Sequence, residues 1–269
     1  MRGSVGSVAG NFFRASGFIR ALHDLGINPF LPDLRMPSLS ADYRRIRLVS
    51  SFAELVGTPL RDGVNALCWP RALPGDFAEV AAKLARSEEG IHVIEEKELQ
   101  TLPLSAAGRV AVDAMLSDFR LLRDRQLDPA LNYLNGGEHD DPQAIVATDV
   151  FSWHVDRAPV PADTYLCTYF GRPSEGLRNE EATRRVDDPT TRAKLLKLHG
   201  GADDDGFREF LADHSYDLHY AAAPDAEPFS FGHFNLWRIA LAYPGNPVPP
   251  SIHRAPATQP GEVRLLLIS

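Results

Sequence analysis

The sequence is poor in cysteine and in long apolar runs. Its two cysteines, Cys68 and Cys167, are far apart and do not form a C-x-x-C pair, so the sequence indicates neither a disulfide framework nor a dithiol redox motif. No apolar run approaches the roughly 20 residues of a membrane-spanning helix, and residues 1–18 lack the apolar core of a signal peptide. We therefore expect a reduced, cytoplasmic protein without a membrane partner.

Basic residues are also fewer than acidic ones. Lys and Arg total 28 against 36 Asp and Glu, which gives a net charge of −8, and proteins that bind nucleic acid usually carry a basic surface. The sequence has no G-x-S-x-G, no P-loop and no G-x-G-x-x-G after a strand, so hydrolase, kinase and dinucleotide-binding functions have no support. With 44% hydrophobic and 24% charged residues, the chain resembles an ordinary globular protein.

The periodicity of the apolar residues changes near residue 144. Before it the pattern is mainly helical, and the clearest helix is predicted over 106–127, where apolar residues recur at steps of three and four. After it, strands are predicted over 144–156, 164–170, 231–243 and 262–269. A charged segment, 172–228, separates these strands and is interpreted as a lid or a decoration.

One short stretch, FSWHVD (151–156), concentrates the chemistry. Residues i and i+2 of a strand share a face, so His154 and Asp156 are expected to project together. A 2-His-1-carboxylate iron site needs one more histidine, and His253 is the candidate. Arg264 opens an apolar last strand and is expected to bind a buried anion. The alternatives are a hydrogen-bonded core pair for His154 and Asp156, a loop cap for His253, and a surface ion pair with Glu262 for Arg264.

The other histidines are assigned lesser roles. His233 is a rival third ligand, whereas His199, His214 and His219 lie in the charged segment and are expected to face solvent. The His139-Asp140-Asp141 run beside Gly-Gly and Pro is expected to be a solvated turn. Cys167 is expected to be a small core residue.

The spacing His154-x-Asp156, His253 and Arg264 resembles the signature of the Fe(II)/2-oxoglutarate-dependent dioxygenases. The resemblance implies a double-stranded β-helix, a jelly-roll or cupin-like core, in residues 144–269. It implies that the two histidines and the aspartate bind Fe(II) and that Arg264 binds the distal carboxylate of 2-oxoglutarate. The predicted architecture is thus a single α+β domain over 1–269, in which a mainly helical region, 1–143, supports the β-helix core.

The match to this signature is incomplete. Leu266 stands where the family usually has serine, and the gap between Asp156 and His253 is long. No motif identifies the residue that would hold the metal-bound end of 2-oxoglutarate, and Tyr165, Thr168 and Tyr169 are candidates by position only.

The chain also resembles a bacterial family of unknown function. The stretches that carry this second resemblance are Val64-Asn65 to Trp69-x-Arg71, the HVD run, LCTYFG (166–171) and HRAP (253–256). This second resemblance covers most of the chain from about residue 64 onward. This resemblance brings little functional knowledge.

The predicted function is an oxygenase that uses dioxygen and couples 2-oxoglutarate decarboxylation to hydroxylation or a related oxidation. The mixed charge of 172–228 suggests a small polar substrate, with amino-acid-like molecules included. Two alternatives stay open. One is a mononuclear iron oxidase whose substrate itself chelates the metal, without 2-oxoglutarate. The other is a non-catalytic jelly roll that binds a metal or a ligand.

Overall fold

The computed structural model describes residues 43–136, 139–257 and 261–269, and all of them belong to one unit that spans Arg35–Ser269. Its helices are α1 (Phe52–Gly57), α2 (Phe77–Lys83), α3 (Glu96–Thr101), α4 (Ala106–Arg123), α5 (Pro189–His199) and α6 (Asp205–Asp213). Its strands are β1 (Ile46–Leu48), β2 (Ala66–Trp69), β3 (Gly90–Val93), β4 (Ala130–Asn135), β5 (Asp163–Phe170), β6 (Glu175–Leu177), β7 (Ala182–Arg184), β8 (Tyr220–Ala222), β9 (Phe229–Ser230), β10 (Leu236–Ala240), β11 (Ile252–Arg254) and β12 (Val263–Ile268).

The largest sheet has seven strands in the order β1-β2-β10-β5-β12-β4-β3. Every pair in it is antiparallel except β1–β2. The interior strand β12 lies between β5 and β4, and β1 and β3 form the two edges. A second sheet has the order β11-β6-β9, and β7 and β8 form a separate pair. The fold is therefore mixed α+β, as the sequence predicts, with an open main sheet.

Helices cover one face of the main sheet. The longest, α4, begins after Ser105, whose hydroxyl accepts a hydrogen bond from Gly108 N at 3.1 Å. Its apolar stripe, which includes Val112 and Met115, packs with Leu265 and Leu267 of β12 in one core cluster. An amphipathic helix beside a sheet is expected to bury its apolar stripe against the sheet in this way.

The small sheet covers the opposite face. Phe229 of β9 packs against Trp237 of β10, with ring centroids 6.3 Å apart, in a cluster that also contains Leu166 of β5. Side chains of β5 alternate between the two faces. Tyr165, Cys167 and Tyr169 point toward the helices, whereas Leu166 points toward the small sheet.

A buried ion pair ties α4 to the main sheet. Arg71 donates to Asp118 of α4 through both terminal nitrogens, at 2.5 and 2.8 Å. The Tyr169 hydroxyl donates to Asp118 Oδ2 at 2.7 Å, and Arg71 Nη2 also contacts Cys167 Sγ at 3.5 Å. The helical layer and the sheet therefore share a polar core as well as an apolar one.

Three expectations about organisation need correction. The region before residue 144 is not a mere helical support, because β1, β2, β3 and β4 supply four of the seven strands of the main sheet; its first 42 residues lie outside the described part. The stretch 144–156 is not a strand, because it consists of turns, bends and irregular backbone in which only His154 forms bridges. Finally, 172–228 is not only a decoration, since its strand β6 pairs with β11.

Elsewhere the predicted elements are close to the observed ones. The helix predicted over 106–127 corresponds to α4, and the strands predicted over 164–170 and 262–269 correspond to β5 and β12. Within the described ranges, we find no helix with the length and apolar character needed to span a bilayer.

Candidate metal centre

The site is built on a short antiparallel patch in which His154 is the middle residue. His154 forms an isolated bridge with His253 of β11 on one side and with His219 on the other. The His154 and His253 backbones exchange two hydrogen bonds, of 3.0 and 2.9 Å. Directly opposed residues of antiparallel strands project to the same face, so the backbone itself brings the two predicted histidine ligands together.

Asp156 completes the group on the same face. His154 Nε2 lies 4.0 Å from Asp156 Oδ1, and His253 Nε2 lies 3.7 Å from Asp156 Oδ2. One ligand atom from each of the three residues lies within 4.8 Å of the others. Ligands about 2.1 Å from one ion and at right angles stand roughly 3 Å apart, so a contraction of roughly 1–2 Å would close this group around a divalent ion.

Hydrogen bonds fix the orientation of both imidazoles. His154 Nδ1 lies 2.7 Å from the Ser152 carbonyl oxygen, and His253 Nδ1 lies 3.3 Å from the Ser251 carbonyl oxygen. A carbonyl only accepts, so each Nδ1 carries the hydrogen and each Nε2 presents its lone pair toward Asp156. Metal-binding histidines are held in this way by outer partners. The Thr164 hydroxyl donates to Asp156 Oδ2 at 2.7 Å and orients the carboxylate.

Burial keeps the His154 imidazole neutral. Burial, together with the neighbouring His253, lowers the pKa of His154 from 6.5 to about 4. Burial also lowers the pKa of His219, against the opposing influence of Asp149 and Asp140. Neutral imidazole is the form that binds a metal, because protonation removes the lone pair. His154 is therefore in its metal-binding protonation state at pH 7.

Arg264 is a buried cation without a carboxylate partner. The residue is 3% exposed, and its guanidinium donates to the Arg172 carbonyl oxygen at 2.8 Å and to Ser174 Oγ at 3.0 Å. Burial lowers its pKa to about 10, so it stays charged at pH 7. Among the described residues no carboxylate forms an ion pair with it, and the alternative of a surface pair with Glu262 is wrong.

The backbone makes room for this side chain. β12 carries a bulge between Leu265 and Leu266, and Gly171 ends β5 with a φ of +78°. A Cβ at Gly171 would lie 2.1 Å from the Val263 carbonyl oxygen and 2.9 Å from Arg264 Cγ. Glycine is therefore required both for the left-handed backbone and for the passage of the arginine.

Arg264 and the three candidate ligands share the side of the main sheet that faces the small sheet. Ser174, which binds Arg264, precedes Gly176 by two residues, and Gly176 pairs with His253. Two residues of strand span about 7 Å. Thr168 lies opposite Leu266, two residues from Arg264, and its Oγ1 is buried without a hydrogen-bond partner in the described part.

The remaining predicted site residues lie elsewhere. Tyr165 and Tyr169 point into the helical side of the sheet, which removes them from the candidates for the metal-bound end of a co-substrate. His233 is not a member of the metal-competent group, and its Nε2 lies 2.6 Å from the Gly171 carbonyl oxygen.

The histidines of the charged segment divide into three environments. His214 is exposed, as predicted, and His199 is half-buried against Phe207 and Phe210. The prediction for His219 is wrong, because it is 4% exposed and lies beside His154. Sequence reasoning missed it because no local motif surrounds it.

A separate groove of about 480 Å³ lies near Tyr43 and Arg178. Four of its charged groups form pairs, Arg45 with Glu180 and Arg178 with Glu181. None of the three candidate ligands lines it.

Comparison with known proteins gives no assignment. No family model matches the chain, and we find no match among curated proteins or among solved structures. The candidate site must therefore be interpreted from its own geometry.

Proposed function

We propose that the protein is a non-haem Fe(II) oxygenase that uses 2-oxoglutarate as co-substrate. The observation that carries the proposal is the His154–Asp156–His253 group, in which two Nε2 lone pairs and a carboxylate converge. Two neutral imidazoles and one carboxylate suit Fe(II) and leave other coordination positions open. The donor set and the tautomers therefore fit the metal.

Each ligand has a distinct role in this proposal. His154 and His253 supply neutral donors held by backbone carbonyls, so that little reorganisation accompanies metal binding. Asp156 supplies one negative charge. The Thr164 hydroxyl donates to Asp156 Oδ2 and not to Oδ1, so Oδ1 is the oxygen assigned to the metal. When bound, Fe(II) and 2-oxoglutarate supply an oxidation in which dioxygen is consumed, 2-oxoglutarate becomes succinate and carbon dioxide, and the substrate is hydroxylated or otherwise oxidised.

Arg264 binds the distal carboxylate of 2-oxoglutarate in this proposal. A guanidinium buried without a counter-ion is costly, and a carboxylate that accepts two parallel hydrogen bonds would compensate it. Thr168 Oγ1, a buried hydroxyl without a partner among the described residues, would add a third donor. Thr168 is thus retained from the sequence candidates, but at the arginine end of the co-substrate.

The β-strands also support a jelly-roll core as part of this proposal. The His154 and His253 backbones pair antiparallel, and β12, which carries Arg264, lies in the sheet that faces β11-β6-β9. We assign the oxidised substrate to small polar molecules that reach the open side of the metal ligands. A cytoplasmic location is retained, supported by two buried, unpaired cysteines.

Anaerobic reconstitution tests the proposal. Fe(II) followed by 2-oxoglutarate should produce the weak visible charge-transfer band of the chelate in the wild-type protein. The band should be lost in His154→Ala and His253→Ala, should weaken in Arg264→Ala, and should persist in His214→Ala, a matched control at an exposed histidine. Metal binding without a band would favour the 2-oxoglutarate-independent oxidase. Absence of metal binding would refute the proposal.

A further inference from the structure

A third imidazole stands in line with the two candidate metal ligands. His219 forms a bridge with His154 on the side opposite to His253, so all three side chains share a face. The ring centroids of His154 and His219 are 5.8 Å apart, against 4.6 Å for His154 and His253. His219 does not belong to the group whose ligand atoms lie within 4.8 Å of one another. It therefore flanks the centre without completing it.

Ser152 fixes the tautomer of His219. The Ser152 hydroxyl lies 2.8 Å from the Asp149 carbonyl oxygen and 3.2 Å from the Ala147 carbonyl oxygen. Its single hydrogen must point to one of these carbonyls, because both can only accept. His219 Nδ1, which lies 2.8 Å from the same hydroxyl, must therefore donate to it. The lone pair of His219 is left on Nε2.

No group in the part of the chain that the structure describes uses the Nε2 lone pair of His219. In the described ranges we find no hydrogen bond to this atom, and it is not one of the buried polar atoms sealed from solvent. The carboxylates of Asp140 and Asp149 add negative potential at the ring. Such an acceptor favours a ligand group that donates a hydrogen bond, a positively charged donor included.

We propose that His219 is a substrate-contacting residue that accepts a hydrogen bond, through Nε2, from a hydroxyl or ammonium group of the molecule bound beside the metal ligands. The inference rests on the proposed function, because it takes the face of His154 as the place where the substrate binds. It adds a substrate class, molecules with a hydroxyl or a primary ammonium group near the position that is oxidised. Ser152 acts through His219 and His154 as a positioning residue.

Two isosteric variants separate this role from its alternatives. In His219→Asn the amide nitrogen takes the place of Nδ1 and keeps the bond to Ser152, whereas the acceptor at Nε2 is lost. In His219→Gln the amide group reaches the place of Nε2 and keeps an acceptor, whereas the bond to Ser152 is lost. If His219 contacts substrate, His219→Asn should impair substrate binding. If His219 only supports the fold through Ser152, His219→Gln should be the harmful change.

The probes are matched pairs of small alcohols with their methyl ethers, and of primary amines with their quaternary trimethylammonium counterparts. Saturation-transfer NMR measures binding to the full-length chain with and without Mn(II), and the paramagnetic relaxation caused by Mn(II) reports proximity to the centre. Wild type should bind the donors about 5- to 10-fold more tightly than their methylated partners, the difference expected for one hydrogen bond. The preference should persist in His219→Gln and vanish in His219→Asn.

Several results would overturn the inference. Absence of a donor preference in wild type would do so, as would a preference kept in His219→Asn and lost in His219→Gln. A more than tenfold loss of Mn(II) affinity in His219→Asn would make His219 a metal ligand instead. Failure of wild type to bind Mn(II) would count against the proposed function, and donor binding is then still measured in the metal-free samples.

Discussion

At the scale of single residues, Arg264 carries the largest unbalanced charge of the described core. Its guanidinium is buried with only a carbonyl oxygen and a serine hydroxyl as acceptors. A cation in such surroundings opposes folding until an anion joins it. Arg264 should therefore lower the stability of the ligand-free protein while it favours the binding of an anion.

Arg264→Met should raise the free energy of unfolding of the ligand-free protein by about 1 kcal/mol or more and abolish binding of 2-oxoglutarate. Urea denaturation and calorimetric titration measure the two effects. Arg238→Met is the matched control, since Arg238 pairs with Asp163 at 2.7 Å and bonds three carbonyls near the end of α1. That variant should lose stability. If Arg264→Met also loses stability, the interpretation of Arg264 as a buried cation without a carboxylate partner among the described residues is wrong.

His154 should make the metal-free protein sensitive to mild acid. Its pKa is lowered from 6.5 to about 4 by burial, so between these values the unfolded chain binds a proton that the folded chain does not. Stability is therefore complete above pH 6.5 and falls as the pH drops toward 4, by on the order of 2–3 kcal/mol. Urea denaturation at pH 7, 6 and 5 measures this loss, and His154→Gln should show a flatter profile. Equal slopes for the two proteins would exclude His154 as the source.

Sequence reasoning succeeded for residues whose partners are near in the chain or follow a known spacing. His154 and Asp156 are two residues apart, and strand geometry alone places them on one face. His219 could not be found in this way, because its position beside His154 depends on pairing across 65 residues. Tyr169 was misplaced because a strand pattern tells which residues alternate but not which face holds the site.

At the scale of elements, the position of β11 depends on an asparagine pair. Asn65 Nδ2 donates to Asn179 Oδ1 at 2.8 Å, and Asn179 Nδ2 donates to the Pro250 carbonyl oxygen at 3.0 Å. Pro250 precedes β11 by two residues. These bonds join the start of β2 and the turn after β6 to the segment that leads to His253.

Asn179→Ala should loosen this segment and weaken metal binding about tenfold, the scale typical of outer contacts of metal sites. Calorimetric titration with Co(II) gives the affinity. Asn135→Ala is the control, because Asn135 of β4 also bonds two backbone carbonyls but on a strand without a candidate ligand. Its metal affinity should stay within about threefold of wild type. Similar losses in both variants would show that the effect is general destabilisation.

The elements themselves were predictable where the apolar pattern is strong. The apolar stripe buries one face of α4, and the apolar runs of β5 and β12 bury one or both faces of these strands. The spacing of apolar residues in the sequence predicts this burial. The stretch 144–156 has strand-forming residues but is folded into turns, bends and irregular backbone, where Asp149 accepts hydrogen bonds from Phe151 N and Ser152 N. A side chain that satisfies nearby backbone groups competes with strand pairing, and this competition is not visible in the periodicity.

At the scale of the whole molecule, the Arg71–Asp118 pair joins the helical layer to the sheet that carries the site. Asp118→Ala leaves the Arg71 charge buried and should cost about 3–5 kcal/mol, measured by urea denaturation. The double variant Arg71→Met/Asp118→Leu should recover much of this loss. Arg120→Ala, which breaks an exposed pair of α4 with Glu96, should have a much smaller effect. Equal losses for the buried and exposed pairs would contradict this role.

The position of β12 in the interior of the main sheet has a consequence for the synthesis of the protein. Its two neighbours, β4 and β5, are complete by Phe170, yet β12 begins only at Val263, 93 residues later (263 − 170). At ribosomal rates of about 5–20 residues per second, this gap lasts roughly 5–20 s. During that time the edges of β4 and β5 that pair with β12 have no partner strand, and an unpaired strand edge can associate with other chains. The nascent protein should therefore depend on chaperones in this interval more than a sheet built from neighbouring hairpins would.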